Sequence, residues 1–211
     1  MRFVLIYYIM MFKTPFFLTF FFLCSFDDHS ISNPINELNF KNKNGLYNFF
    51  VEIPAGTKQK WEVDKQSGLL EWEKKKGKKR IINFLSYPGN YGFIPQTLSY
   101  DGDPIDVIDL DENIERGSVK EIKIIGGLYF EDKKKEDVKI IGVDPNGSFG
   151  NIKTMKDLSL NKFSLLEILK MWFESYKKPG KMIFYKFLDK DQSIEIIEES
   201  HERWLLSKNK K

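Results

Sequence analysis

The segment Asp101-Gly-Asp-Pro-Ile-Asp106 places three carboxylates within six residues. Like charges at that spacing repel and cost stability unless a cation neutralises them, so the segment calls for a partner. In an extended chain Asp101 and Asp103 point to one face, because the side-chain period is two, and Pro104 biases Asp103 toward an extended backbone. Dense carboxylate oxygen without soft ligands suits Mg²⁺ or Mn²⁺. A calcium loop of the EF-hand type fits poorly: its fifth position is Ile105, its sixth, where a turn glycine is required, is Asp106, and the flanks do not read as helices. Taken alone, the hexapeptide reads equally well as an acidic surface turn.

A second pair of carboxylates changes that balance. Asp132 and Asp137 flank the basic Lys133-Lys134-Lys135 turn at the mouth of an expected hairpin, with Lys139 two residues further on. Two acidic clusters can hold several divalent ions. Lysines and tyrosines stand where an anion would need them, in Lys60-Trp61-Glu62, in Tyr87-Pro-Gly-Asn-Tyr91-Gly and in Tyr176-Lys177. Singly, each would be a packing or solvated residue. One cysteine and two histidines exclude an internal disulfide framework and a Cys/His zinc cage, so a metal here must be held by oxygen.

The elements that must position these groups fall into two halves. Tyr47–Ile53, Trp61–Asp64, Leu69–Glu73, Ile105–Leu110, Val119–Leu128 and Val138–Val143 are short β-branched or aromatic runs between Gly, Pro and Asp turns. Short strands at such spacing predict a small closed barrel. The basic run Glu71–Arg80 around Gly77 reads as a solvated hairpin tip. After Pro145 the period becomes helical. Leu165, Ile168, Leu169, Trp172, Phe173 and Tyr176 share a face, Ser164 and Glu167 form an S-x-x-E capping box in front of them, and Pro179-Gly180 stop the helix. A second helix is expected over Ser193–Leu206, with His201 on its apolar side as a packing residue.

Composition bounds the rest. The chain has 211 residues, 42% hydrophobic and 30% charged, which is enough for one sizeable core; a net charge of +3 argues for nucleic acid only if the charges are sorted in space. The 19 phenylalanines are uneven, because eight of them lie in residues 1–31, where only Arg2, Lys13, Asp27 and Asp28 are charged. The nearly unbroken apolar run Phe3–Leu23 reads as a signal peptide or a membrane anchor, leaving residues 32–211 as one domain. With a start at Met10 or Met11 it resembles a bacterial lipoprotein signal with Cys24 as the acylated residue. This segment points to the cell envelope or a membrane, and to the cytoplasm if it is a start-site artefact.

Together and in this order, the pieces resemble the soluble family I inorganic pyrophosphatases. The likeness runs from Glu52-Ile-Pro-Ala through Lys60-Trp-Glu62, Asp64-Lys65 and Gly68, Tyr87-Pro88 and Asn90-Tyr91-Gly92. It continues through the signature Asp101-Gly-Asp-Pro-Ile-Asp-Val107, Gly117-Ser118-Val119, Gly126, Asp132 to Asp137-Val-Lys139, and Tyr176-Lys177. The resemblance implies a five-stranded OB-like barrel with two flanking C-terminal helices. It also implies Mg²⁺-dependent hydrolysis of pyrophosphate, with Mn²⁺ as a substitute, and a homo-oligomer, hexamer rather than dimer. It makes Asp101, Asp106, Asp132 and Asp137 metal ligands, Asp103 the general base, and Glu52 and Glu62 outer acidic groups. Lys60, Tyr91, Lys139, Tyr176 and Lys177 would bind pyrophosphate, and among the basic run Arg80 is chosen over Lys78 and Lys79 because a guanidinium grips phosphate with a fork. The rival readings are an OB barrel that binds single-stranded nucleic acid and a pyrophosphatase-like protein without activity.

Overall fold

A short helical turn, α1 (Pro34–Glu37), begins on Asn33, whose side chain accepts from the Ile35 amide while Pro34 fills the first helical position. The strand-rich half follows as β1 (Tyr47–Ile53), β2 (Trp61–Val63), β3 (Leu70–Trp72), β4 (Lys74–Lys75), β5 (Lys78–Lys79), β6 (Asn90–Ile94), β7 (Ile105–Asp109), β8 (Val119–Asp132) and β9 (Lys135–Val143). Then come α2 (Met155–Ser175), β10 (Met182–Leu188) and α3 (Lys190–Lys208). The structure is a computed structural model and describes residues 32–178 and 180–209. The signal, anchor and Cys24 readings lie outside those residues.

β1 pairs with β6 and β8, β6 with β7, β7 with β9, and β9 with β8, so the hydrogen-bonded neighbours return to β1 and make a ring of five strands. That ring is the barrel expected from the sequence, and β10 is added outside it on β8. Its strands are buried on both sides. Ile140 and Ile141 are both fully buried yet belong to different apolar clusters, because successive side chains of a strand point to opposite faces. One cluster is covered by α2 through Leu158, Leu169, Trp172 and Phe173, and the other receives Ile197 of α3.

Several elements depart from the sequence reading. β6 is absent from the strands expected from the sequence; it opens on Asn90 and contains Gly92. Both residues are needed there: a Cβ on Gly92 would lie 1.9 Å from the Phe50 carbonyl oxygen, and Asn90 accepts from the Ala55 amide while donating to Asp109. β10 was missed because its exposed and buried positions do not alternate. α2 starts at Met155, not near Leu165, capped by Thr154, which accepts from the Asp157 amide. It breaks helical geometry at Lys162, just before the expected Ser164 start. The second helix starts at Lys190 behind an Asp189–Gln192 capping box. His201 packs as expected, stacked on Phe40 at 4.0 Å with Nδ1 2.6 Å from the Gln96 carbonyl oxygen.

α3 is also tied to the start of the domain. Glu198 accepts from Lys41 Nζ at 2.5 Å and from the Tyr47 hydroxyl at 2.6 Å. Burial pushes the Glu198 carboxyl up, but these hydrogen bonds outweigh it and hold the group below its ordinary value. A depressed folded-state value means a contribution present in full above the unfolded pKa of about 4.3 and lost as pH falls through the folded one. Because the pair is partly exposed, Glu198→Gln is expected to cost only about 0.5–1 kcal/mol at pH 7. Urea titrations of parent and variant at a series of pH values check this: the two curves converge in acid, and a constant gap would contradict it.

Candidate active site

The strand register assembles the acidic groups. β7 and β9 run parallel with Asp106 opposite Lys139, and on β9 Asp137 and Lys139 share a face. Lys139 Nζ therefore forms ion pairs with both Asp106 and Asp137. Asp132 closes β8, and Lys177, just past the end of α2, donates to its Oδ2 at 2.8 Å. The remaining two aspartates sit on the loop before β7. Gly102 takes a φ of +91° there, and Asp101 Oδ1 accepts from the Asp103 amide at 3.0 Å. Lys65, on the turn after β2, pairs with Asp103 and donates to the Gly102 carbonyl at 2.8 Å.

These groups line one cavity of about 570 Å³, which also takes in Glu52, Glu62, Lys60, Arg80, Tyr91 and Tyr176. All thirteen residues singled out from the sequence are thus brought together. The lining carries two kinds of charge: six aspartates, Asp64 among them, and the cations Lys60, Lys65, Arg80, Lys139 and Lys177. Arg80 lines it, whereas Lys78 and Lys79 project as exposed residues of β5.

The electrostatics follow from crowding. Burial pushes the Glu52 carboxyl up to about 7, against the opposing charge of Lys60; its Oε1 accepts from the Val63 amide at 2.7 Å. A bulge in β1 between Val51 and Ile53 interrupts the ladder at this residue. Burial works against the charges of Lys60 and Lys139, but the surrounding acids and tyrosines, Asp106 among them, hold both ammonium groups above their ordinary range. Burial, reinforced by Asp106, pushes the Tyr91 hydroxyl well up, so it stays a neutral donor. The tyrosines are fixed by rings: Tyr176, the C-cap of α2, stacks on Trp172 at 4.7 Å, and Tyr87 packs 5.2 Å from Tyr91.

Sequence reasoning missed two partners. The sequence places Lys65 only within a motif, and Glu73 only as the end of the strand run Leu69–Glu73. Glu73 accepts from Arg80 Nη1 at 2.6 Å, while Trp72 Nε1 donates to the Arg80 carbonyl at 2.8 Å, so β3 and its edge fix both ends of that residue. The signal was weak: an acid seven residues before an arginine acquires meaning only once the β4–β5 hairpin folds them together.

Among the described residues no three acids or imidazoles form a ready metal cage, since lysine ammonium groups lie between the aspartates. The donors nonetheless fit a divalent ion. Asp132 Oδ1 is buried and has no hydrogen-bond partner among the described residues, a costly state for a carboxylate oxygen, and every other acid on this side of the cavity is a hard oxygen donor.

Comparison with known proteins decides the family. The model described as inorganic pyrophosphatase matches residues 49–205. The chain belongs to the family I inorganic pyrophosphatases. An inorganic pyrophosphatase of Campylobacter jejuni is 38% identical over 164 residues, covering 72% of this chain and 88% of that protein. The inorganic pyrophosphatase of Thermus thermophilus superposes with a TM-score of 0.71 at 28% identity, covering 81% of this chain and 98% of that one. The type I inorganic pyrophosphatase of P. falciparum gives 0.77 at 28% identity over 82% of this chain, which spans 63% of that protein's length. Family I pyrophosphatases are hydrolases of inorganic pyrophosphate that use divalent metal ions, and neither the nucleic-acid-binding nor the inactive reading gains support from the cavity.

Proposed function

We propose that this cavity hydrolyses inorganic pyrophosphate to two phosphates with Mg²⁺ held by Asp101, Asp106, Asp132 and Asp137, and with Asp103 as general base. The observation that carries the reading is the meeting of two acidic clusters and five cationic side chains on one cavity. Bound Mg²⁺ supplies charge neutralisation of the substrate and lowers the pKa of the attacking water from about 15.7 toward neutrality. The chain's own groups do the rest. Lys60, Arg80, Lys139 and Lys177 offset the charge of the phosphate oxygens and orient them, and the hydroxyls of Tyr91, held neutral, and of Tyr176 donate hydrogen bonds. Asp103, on a loop at the cavity edge and half-exposed, takes the proton of the attacking water. Glu52 and Glu62 act as outer acids on the Lys60 side.

Arg80 grips phosphate through a planar fork that lysine lacks. Arg80→Lys is therefore expected to lower kcat/KM about 10- to 100-fold with unchanged stability, read from steady-state kinetics and thermal unfolding. Unaltered kinetics would remove Arg80 from the substrate contacts. The substrate assignment is tested by phosphate release from pyrophosphate, ATP and a phosphate monoester in Mg²⁺. Strong preference for pyrophosphate is expected, and comparable rates on all three would point to a general phosphatase.

We also propose a homo-oligomer, for which the exposed apolar residues Leu160, Ile168 and Met171 of α2 offer contact surface, and take a hexamer rather than a dimer from the family resemblance alone. Mass measurement in solution checks it, with a monomer as the contrary result. Envelope or membrane attachment through residues 1–31 is proposed on their composition alone.

A further inference from the structure

We propose that the β4–β5 hairpin is a docking surface for anionic phospholipid. Lys74, Lys75, Lys76, Lys78 and Lys79 are all exposed, within six residues of chain. Lys76 and Gly77 take φ values of 53° and 75°, the two-residue turn that suits a tight hairpin, so the charges crowd onto one small tip. Among the described residues no carboxylate forms an ion pair with any of the five. The nearest candidate along the chain, Glu73, is held by Arg80. Lys58 is exposed on the neighbouring segment, bonded through its carbonyl to the Ile82 amide, and Ile81 beside it is 58% exposed. Basic groups next to a protruding aliphatic side chain match a lipid surface, where the charges meet headgroups and the apolar group meets the acyl boundary.

The chain's own connectivity supports this partner. The described residues begin at Ser32, and Ser32 and Asn33 lie against Gly68 in the turn joining β2 and β3; a Cβ on Gly68 would come within 2.5 Å of the Ser32 carbonyl oxygen. β3 leads directly into the hairpin. Ser32, the first described residue, therefore lies on the lobe that bears the lysines. A single lipid chain holds a membrane only reversibly, and a polybasic patch is the second signal that makes such attachment stable. Single-stranded nucleic acid fits less well, since it needs exposed aromatic rings to stack on. The aromatic residue of this lobe nearest the tip, Trp72, is half-buried between the Trp61 ring and the Lys79 ammonium.

The test uses the full chain and the variant Lys74→Gln/Lys75→Gln/Lys76→Gln/Lys78→Gln, with partition coefficients measured by lipid titration. Vesicles are phosphatidylcholine alone or phosphatidylcholine with about 30% phosphatidylserine, at about 0.05 M and about 0.5 M salt. The parent is expected to prefer the anionic vesicles by at least about tenfold at low salt and to lose that preference at high salt. The variant is expected to lose it at both salts while still releasing phosphate from pyrophosphate, which shows that it is folded. Equal partitioning of the parent into both vesicles, or a variant that keeps the preference, would overturn the proposal. Release of vesicle-bound parent by a stoichiometric RNA oligonucleotide would overturn it in favour of nucleic acid.

Discussion

Asp103→Asn is expected to lower turnover about 10²- to 10⁴-fold while leaving Mg²⁺ affinity within a few-fold of the parent, whereas Asp106→Asn loses both. The difference comes from position. Asp103 sits on a loop, half-exposed, and its side chain pairs with the Lys65 ammonium, so exchanging it for an amide of equal size removes a proton acceptor and disturbs little else. Asp106 is fixed by the ladder of β7 with Phe93 on one side and Lys139 on the other, and it shares the Lys139 ammonium with Asp137. Losing its charge unbalances the whole acidic cluster. Calorimetric Mg²⁺ titrations alongside steady-state rates separate the two roles, and equal losses of metal affinity in both variants would remove Asp103 as the base.

Lys139→Met carries the second large effect, and it acts on both stability and activity. Lys139 is 2% exposed, within ion-pair reach of two carboxylates and 5.7 Å from the Tyr91 ring. Methionine preserves most of the volume but removes the one ammonium that Asp106 and Asp137 share, leaving Asp137 with the more distant Lys177 at 3.8 Å. Breaking a buried pair in this way costs about 3–5 kcal/mol. A divalent ion bound by those same acids restores the missing charge, and binding to the native state alone adds about 2.7 kcal/mol when the ion is at 100 times its Kd. The variant should thus be severely destabilised in EDTA and considerably less so in Mg²⁺, with kcat/KM reduced at least about 100-fold in either case where it is folded. Urea unfolding with and without Mg²⁺ checks this. A deficit that does not change with Mg²⁺ would mean that the ion and Lys139 answer to different carboxylates.

Much of this arrangement could be read before any coordinates, and the parts that could not share a cause. β1 was legible to the residue because Tyr47–Ile53 is a dense run of β-branched and aromatic side chains ended by Pro54. The aspartate loop was legible because its chemistry is local: charge repulsion, a glycine in a left-handed turn and a proline all act within six residues. β6 was not, since Gly92 and Asn90 look like turn residues until Phe50 and Asp109 are packed against them. Nor was Glu73, whose meaning depends on a hairpin that returns Arg80 to its side. The parallel pairing of β7 with β9 was likewise invisible as a pairing, although it is what sets Asp106 beside Lys139. Groups whose role is fixed by near neighbours in the chain were found, and groups whose role is fixed by long-range register were found only where a family motif named them.

The central claim is that the acids of this cavity act through a divalent ion on pyrophosphate. Phosphate release from pyrophosphate by the purified full chain, measured in Mg²⁺ and again in excess EDTA, tests it most directly. The account predicts two phosphates released per pyrophosphate in Mg²⁺, a rate near background in EDTA, and recovery when Mg²⁺ is returned. A background rate in Mg²⁺, or a rate indifferent to EDTA, would contradict it.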